Sequence, residues 1–391
     1  MTYLSRLSKL GMGKEGTQYT YTVPTVSIPF TKASFTDDIA QLRDESVRAS
    51  DTVLTGLQSG VWHSIWDLEV NAYADITGHF LRAMIGPDTV AAGVTTTLTA
   101  NSLINATTLS LTASVPANSV LQLSDTAGAK LEYVKISTVT GAGPYIATVT
   151  TGGGAGFNSA KYAHTAVGGA VISQSTHVFT QSRTFATVWP TYSFTVDDGA
   201  DQLGWPGQVC SEMQIKIDPK GFVTMSPKFM GFPSITEATF AYAASAAQPV
   251  VGWAWTVTNA GATSTRGLSF DITMKRATEP IFASTGLQAP REVFPGPLEV
   301  DGTYKAVFEN SADMNLYIQA NQLPTVHTMT QPVTSGGAVM AITMSQSGYT
   351  SGKRDIATPY VQADYNMAGI NNSTDGGVVQ VSLQNSVSTA Y

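Results

Sequence analysis

Apolar and polar residues alternate over much of this chain, and those runs predict strands. The run Val61–Val70, VWHSIWDLEV, is rich in aromatic and β-branched residues. Behind it the period changes, with Ile76, Phe80 and Met84 recurring every fourth residue and Ala83 beside them. That spacing predicts a short helix, with Asp75 as N-cap and Gly86-Pro87 as its stop. The clearest hairpin is EMQIKIDPKGFVTMS, from Glu212. Met213, Ile215 and Ile217 share one face, Gln214, Lys216 and Asp218 the other, and Asp218-Pro219-Lys220-Gly221 has turn chemistry. AVMAITMSQSGYT (338–350), TPYVQADYNMAG (358–369) and VVQVSLQNS (378–386) continue the β pattern. One phrase occurs twice, as GVWHSIW (60–66) and GTYKAVF (302–308). Each copy leads into Ala-Asp and a short apolar segment; in the second, Leu316, Tyr317 and Ala320 fall on one helical face.

Residues 1–32 read as an extended arm, because Pro24 and Pro29 exclude a central strand. From Ser34 to Ser59 the chain is polar without a clean period, and DDIAQLRDES (37–46) fits a short helix or a strand equally. The block 91–174 differs from the rest, being Thr/Ser/Ala-rich with no charge from Ala91 until Asp125. Its short runs KLEYVKIS, YIATVT and AVGGAVI, with Gly152-Gly153-Gly154 and Gly168-Gly169 in turns, predict a small β-barrel or sandwich. Without it about 310 residues remain, enough for two ordinary units. The expected division is an arm 1–32, a first unit 33–90 with 175–270, an inserted module 91–174 and a second unit 271–391.

Charged residues make up 13% of the 391-residue chain, about half the usual share. The net charge of −7 argues against an electrostatic nucleic-acid binder. Cys210 is the sole cysteine, so no intrachain disulfide can form. MTYLSRLSKLGMGKEG has no apolar run of the secretory kind. FAYAASAAQPVVGWAW is too broken by Gln248, Pro249 and Gly252 to span a bilayer, and a soluble protein is expected.

No chemistry stands out. His63, His79, His164, His177 and His327 lack metal-ligand spacing. Asp197, Asp198 and Asp201 lack the rest of a calcium loop and read as a solvated turn. TGGGAGF is followed by neither Lys-Ser/Thr nor a helix start, so a hairpin turn fits better than a phosphate loop. There is no G-x-S-x-G elbow. Asn105, Asn371 and Asn372 stand in glycosylation-type triplets that mean nothing without a secretory signal. Trp62, Trp66, Trp189, Trp205, Trp253 and Trp255 lie mostly in strand-like runs, which favours packing over sugar platforms. The sequence offers no catalytic, cofactor-binding or metal-binding residue, no cofactor and no enzyme.

The order of motifs is more informative than any one of them. Asp75-Ile-x-Gly-His-Phe-Leu-x-x-Met-Ile-Gly86 is followed by Thr176-His-x-Phe179, Pro190-Thr-Tyr-Ser-Phe-Thr-Val196, and the hairpin from Cys210 to Phe229-x-Gly231. This order resembles tail tube proteins of long-tailed bacteriophages, well over 60–231 and more loosely over 285–391. The block 91–174 departs from it, since the family usually has a short loop there. The resemblance implies a mainly β protein with two tail-tube-type β-sandwich domains, each with a flanking short helix, forming an inner β-barrel on assembly, plus the inserted small β domain. It implies self-association into stacked rings, three chains per ring if the two units are a fused pair, otherwise six. It also implies a tape measure protein and tail-end proteins as partners, DNA passing through the lumen without specific binding, no membrane, and a place in the virion tail after assembly in the host cytoplasm. The arm would be ordered by a neighbouring chain or ring. Two other readings are a surface carbohydrate-binding or adhesive β-protein, and another virion part such as a decoration or tail-tip protein.

Overall fold

Alternation becomes antiparallel strand almost throughout. The computed structural model describes residues 4–391 except 50, 126–129, 156–157, 167–169, 182–183, 185–187, 237–239, 246 and 357–358. Gly168-Gly169 therefore lies outside the described residues.

A front layer runs through eight strands in unbroken hydrogen-bonded order. These are Lys32–Asp44, Gly56–Asn71, Thr224–Gly231, the second part of Gln202–Ile217, Gly267–Arg276, Leu298–Val307, Gln362–Gly369 and the last part of Val339–Asp355. The undecided segment 37–46 is thus an edge strand. Two long strands bend from this layer to the layer behind. Gln202–Gln208 pairs there with Tyr192–Asp197, and Val339–Thr343 pairs with Leu323–Thr330 and Gln380–Asn385.

The two halves repeat the same ladders. Walking across the first half, Cys210 opposes Phe229, Phe229 opposes Trp66, and Trp66 opposes Phe35. In the second, Tyr349 opposes Met367, Met367 opposes Gly302, and Gly302 opposes Ile272. Each long strand carries a one-residue bulge at the matching place, Ser211 and Thr350. The strands of the repeated sequence phrase do correspond, but Gly302 matches Trp66 rather than Gly60. The offset is an even number of residues, so the same phase faces inward in both copies and their apolar positions coincide.

The layers enclose one continuous apolar core. Trp66, Phe194 and Phe229 meet edge to face, with centroids 5.0 and 4.8 Å apart. α1 (Thr77–Met84) buries Phe80, Ala83 and Met84 as its spacing predicted, and Leu81 as well. Asp75 does not cap it; its Oδ2 accepts from Ser245 Oγ at 2.6 Å. The other end is closed by Arg276, whose Nε donates to the Met84 carbonyl at 2.8 Å, satisfying a terminal acceptor. α2 (Ala312–Ile318) buries Met314, with Leu316 and Tyr317 half-covered; Ala320 lies beyond its end and is exposed.

The arm finds its partner within its own chain. Lys9–Lys14 pairs with Tyr192–Asp197, and Leu10 and Met12 enter the core. Glu15 fastens the turn after it, accepting from Tyr19 N at 2.9 Å, Thr191 Oγ1 at 2.5 Å, Ser193 Oγ at 2.7 Å and Gly207 N at 2.7 Å. A neighbouring ring is not needed to order it, contrary to expectation.

Block 94–173 is a small antiparallel sheet in the order 95–96, 170–173, 120–124, 132–140, 145–151, 108–111. A bridge between Leu98 and Leu111 joins its ends into a barrel around a separate core of Leu109, Leu121, Val134 and Ile136. Its two ends touch: Val94 N donates to Ser173 Oγ at 2.7 Å, and a Cβ on Gly93 would stand 2.0 Å from the Ser173 carbonyl. The barrel leans on the second half, where Gln174 Nε2 donates to Gly336 O at 2.8 Å.

Candidate functional site

The histidines do not form a site. His164 and Glu132, 2.7 Å apart, are buried inside the inserted barrel, where Glu132 also accepts from Lys161 N and Tyr162 N. His177 contacts Asp88 at 2.7 Å and the Val387 carbonyl at 2.9 Å, and with His79 it packs edge-on against the Tyr391 ring. Burial lowers His79 to about 4, and burial alone lowers His327 to about 3. His327 lies flat on Phe270, centroids 3.5 Å apart, and neither of its ring nitrogens has a hydrogen-bond partner. His63 is 4.0 Å from Asp38 on the front sheet. Asp198 Oδ1 accepts from Ala200 N and Asp201 N, which makes VDDGAD a self-closed turn. Trp66, Trp189 and Trp205 are core residues, whereas Trp253 is 64% exposed and stands apart from them. Among the described residues there is no group of three or more metal-ligating side chains, and no helix is long and apolar enough to cross a membrane.

What the molecule offers is a surface. Because strand side chains alternate, the front sheet turns one set inward and the other outward. The outward set is mostly polar and acid-rich, including Asp67, Glu212, Asp271, Glu299, Asp301 and Asp364, with the apolar pair Ile65 and Met230 at one end. Its lysines stand against acids, although Lys353, at the free edge, shares Asp364 with Lys305. Lys228 Nζ donates to Glu212 Oε1 at 2.9 Å; Lys32 lies 3.6 Å from Asp67, and Lys305 lies 3.6 Å from Asp364. Lys216 stands opposite Asp271, and Lys275 opposite both Glu212 and Glu299. Burial raises Asp271, with Lys216 pulling the other way. Exposed pairs of this kind contribute little stability, roughly 0.2–1 kcal/mol each. Their consequence is electrostatic: the face holds no unmatched row of cations.

The sheet has two free edges. Among the described residues, Lys32–Asp44 pairs only with Gly56–Asn71, and Ser351–Asp355 only with its hairpin partner. Beyond the layer, Asp38–Asp44 and Gly56–His63 continue as a two-stranded ribbon whose Ile39, Leu42, Leu57 and Val61 are exposed. A long unpaired edge and an apolar ribbon are liabilities in a monomer and binding elements in an assembly. Over nearly its whole length, residues 5–384, the chain matches the model of the phage tail tube protein family.

The chain belongs to the phage tail tube protein family. It is thus a structural protein of the virion tail with a mainly β fold, as the order of motifs implied. No curated protein matches the chain. The sequence had pointed to the family through core strands and one helix. It missed the surface elements, the edge strand and ribbon, because the bulge at Ala40 breaks their alternation: Phe35 and Ile39 lie on one side of it, Leu42 on the other.

Proposed function

We propose that copies of this chain close side by side into rings of three, and that the rings stack into the tube through which phage DNA leaves. The observation that carries this is the eight-stranded front sheet, free at both edges and polar on one face. Three copies would give a barrel of about 24 strands; at ~4.8 Å per strand its backbone circumference is about 115 Å and its diameter about 37 Å before tilt. With inward side chains subtracted, that bore admits a double helix. Six copies would double it and leave a wide, empty ring. The repeated ladders favour the reading that two tube domains are fused in one chain, with the boundary before Gly267 and not at 270/271, since Gly267–Arg276 belongs whole to the second walk.

The acid-rich face lines the bore in this arrangement. Binding to DNA phosphate proceeds by releasing counterions to lysine and arginine, and lysines already matched by acids offer little of it. DNA would slide past a hydrated wall without being held. The inserted barrel leaves from the layer behind the front sheet and would sit on the outside. The apolar ribbon would reach the next ring. A tape measure protein and tail-end proteins would complete the tail, assembled in the host cytoplasm.

Negative-stain microscopy of the purified chain tests the reading. Tubes or rings with an axial channel are expected. Monomers at high concentration, with neither, would overturn it.

A further inference from the structure

The front sheet already contains, inside one chain, a junction of the kind that two copies would make. Where the halves meet, Glu212–Ile217 runs antiparallel to Phe270–Lys275, with Glu212 opposite Lys275 and Ile215 opposite Ile272. The repeated ladders relate each of these strands to one of the free edges. Aligning the bulges at Ser211 and Thr350 sets Glu212 on Ser351 and Gln214 on Lys353. The two walks across the ladders set Ile272 on Phe35, and hence Lys275 on Asp38 and Thr273 on Thr36.

We propose that the edge 350–356 pairs antiparallel with the edge 33–39 of a second copy, in the register fixed by the internal junction. Ser351 then opposes Asp38 of the partner subunit, Lys353 opposes Thr36 of the partner subunit, and Arg354 opposes Phe35 of the partner subunit. This rests on the ring reading above and adds to it which residues meet.

Two features independent of the ladders agree. One edge carries the exposed Lys353, which shares Asp364 with Lys305, and Arg354, whose guanidinium lies 4.3 Å over the Phe308 ring; the other carries the exposed Asp38. In this register Lys353 lies diagonal to Asp38 of the partner subunit, within reach of a long side chain. The second feature is burial. In the internal junction Ile215 and Ile272 are both 0% exposed, whereas Phe35, the counterpart of Ile272, is 37% exposed, and Ile356 is 78% exposed. The pairing covers Phe35 with the stem of Arg354 and brings Ile356 over Ala33 of the partner subunit. A slip of one residue would turn these apolar side chains to the wet face.

The test is cross-linking of assembled protein. Cys210 is buried, so it supplies no competing thiol. A chain carrying both K353C and T36C, assembled and then oxidised, is expected to run as a covalent trimer under non-reducing conditions. Chains with K353C and S34C, or with K353C and D38C, place the thiols one pleat out and are expected to cross-link at least ten-fold more slowly. Rings whose chains link best through a slipped pair, or through none of the three, would overturn the register and leave the ring reading standing. Absence of rings in the unmodified chain would overturn both. As a check that does not depend on thiols, K353E is expected to raise the protein concentration needed for assembly several-fold, and K353E with D38K to restore it. No rescue would count against the contact.

Discussion

His327 is a neutral ring stacked on Phe270 with Trp255 beside it and without a hydrogen bond, and its burial has a cost that depends on pH. Its folded value, about 3, lies below the ordinary 6.5. Below pH 6.5 the unfolded chain takes up a proton that the folded chain refuses, so stability falls as pH falls towards 3. The slope from this one group is about 1.4 kcal/mol per pH unit. Replacing His327 with Phe keeps a flat ring in the stack and removes that slope. Denaturant unfolding at pH 7 and pH 4.5 is expected to show H327F losing about 2–3 kcal/mol less than the unmodified chain between the two. Equal losses would mean that the ring takes up its proton without unfolding. Glu15 is the opposite case, a buried carboxylate that gathers four donors. Glu15→Ala leaves those donors unmatched and is expected to cost about 3 kcal/mol. Faster amide exchange over Lys9–Lys14, with the front sheet unchanged, would be the local signature.

Among the elements, those with one wet and one dry face were legible in the sequence. The hairpin of Met213, Ile215 and Ile217, α1 and the closing strand 380–385 all stand where their periods placed them. The edge strand 32–44 was not legible, because its apolar residues are exposed, its phase changes at the Ala40 bulge, and Asp37 spends its charge on Trp205 Nε1 and Ser234 instead of solvent. The candidate surface shares this opacity, since it is defined by what the outward residues lack. The ribbon formed with Gly56–His63 is expected to act between rings, not within the fold. L42D with L57D should leave thermal unfolding of the subunit within about 0.5 kcal/mol, as surface changes usually do, and abolish long tubes in micrographs. Long tubes from that variant would remove the ribbon from the stacking contact. The inserted barrel has its own core and touching ends, so replacing 94–173 with a short Gly-Ser loop should still give tubes. A chain that fails to assemble after the exchange would make the barrel part of the ring.

At the scale of the whole molecule, the account turns on the repeated ladders. If rings of three form as proposed, the junction between the equivalent walks Cys210–Phe229–Trp66–Phe35 and Tyr349–Met367–Gly302–Ile272 is the contact that each copy would repeat with its neighbour. The sequence hinted at this only through one degenerate phrase, because strand pairing conserves the inward phase and leaves residue identity free. Acidity would also add up in the proposed ring. Each chain would contribute −7, and screening over about 8 Å would confine the effect to the residues lining its bore. The most direct test is the rotational symmetry of the assembled tube in a cryo-electron microscopy map. Three chains per ring are expected, each contributing two similar lobes to a barrel of about 24 strands with the Asp271 and Asp301 face inward. Six chains per ring, or a bore lined by the opposite face of the sheet, would contradict it.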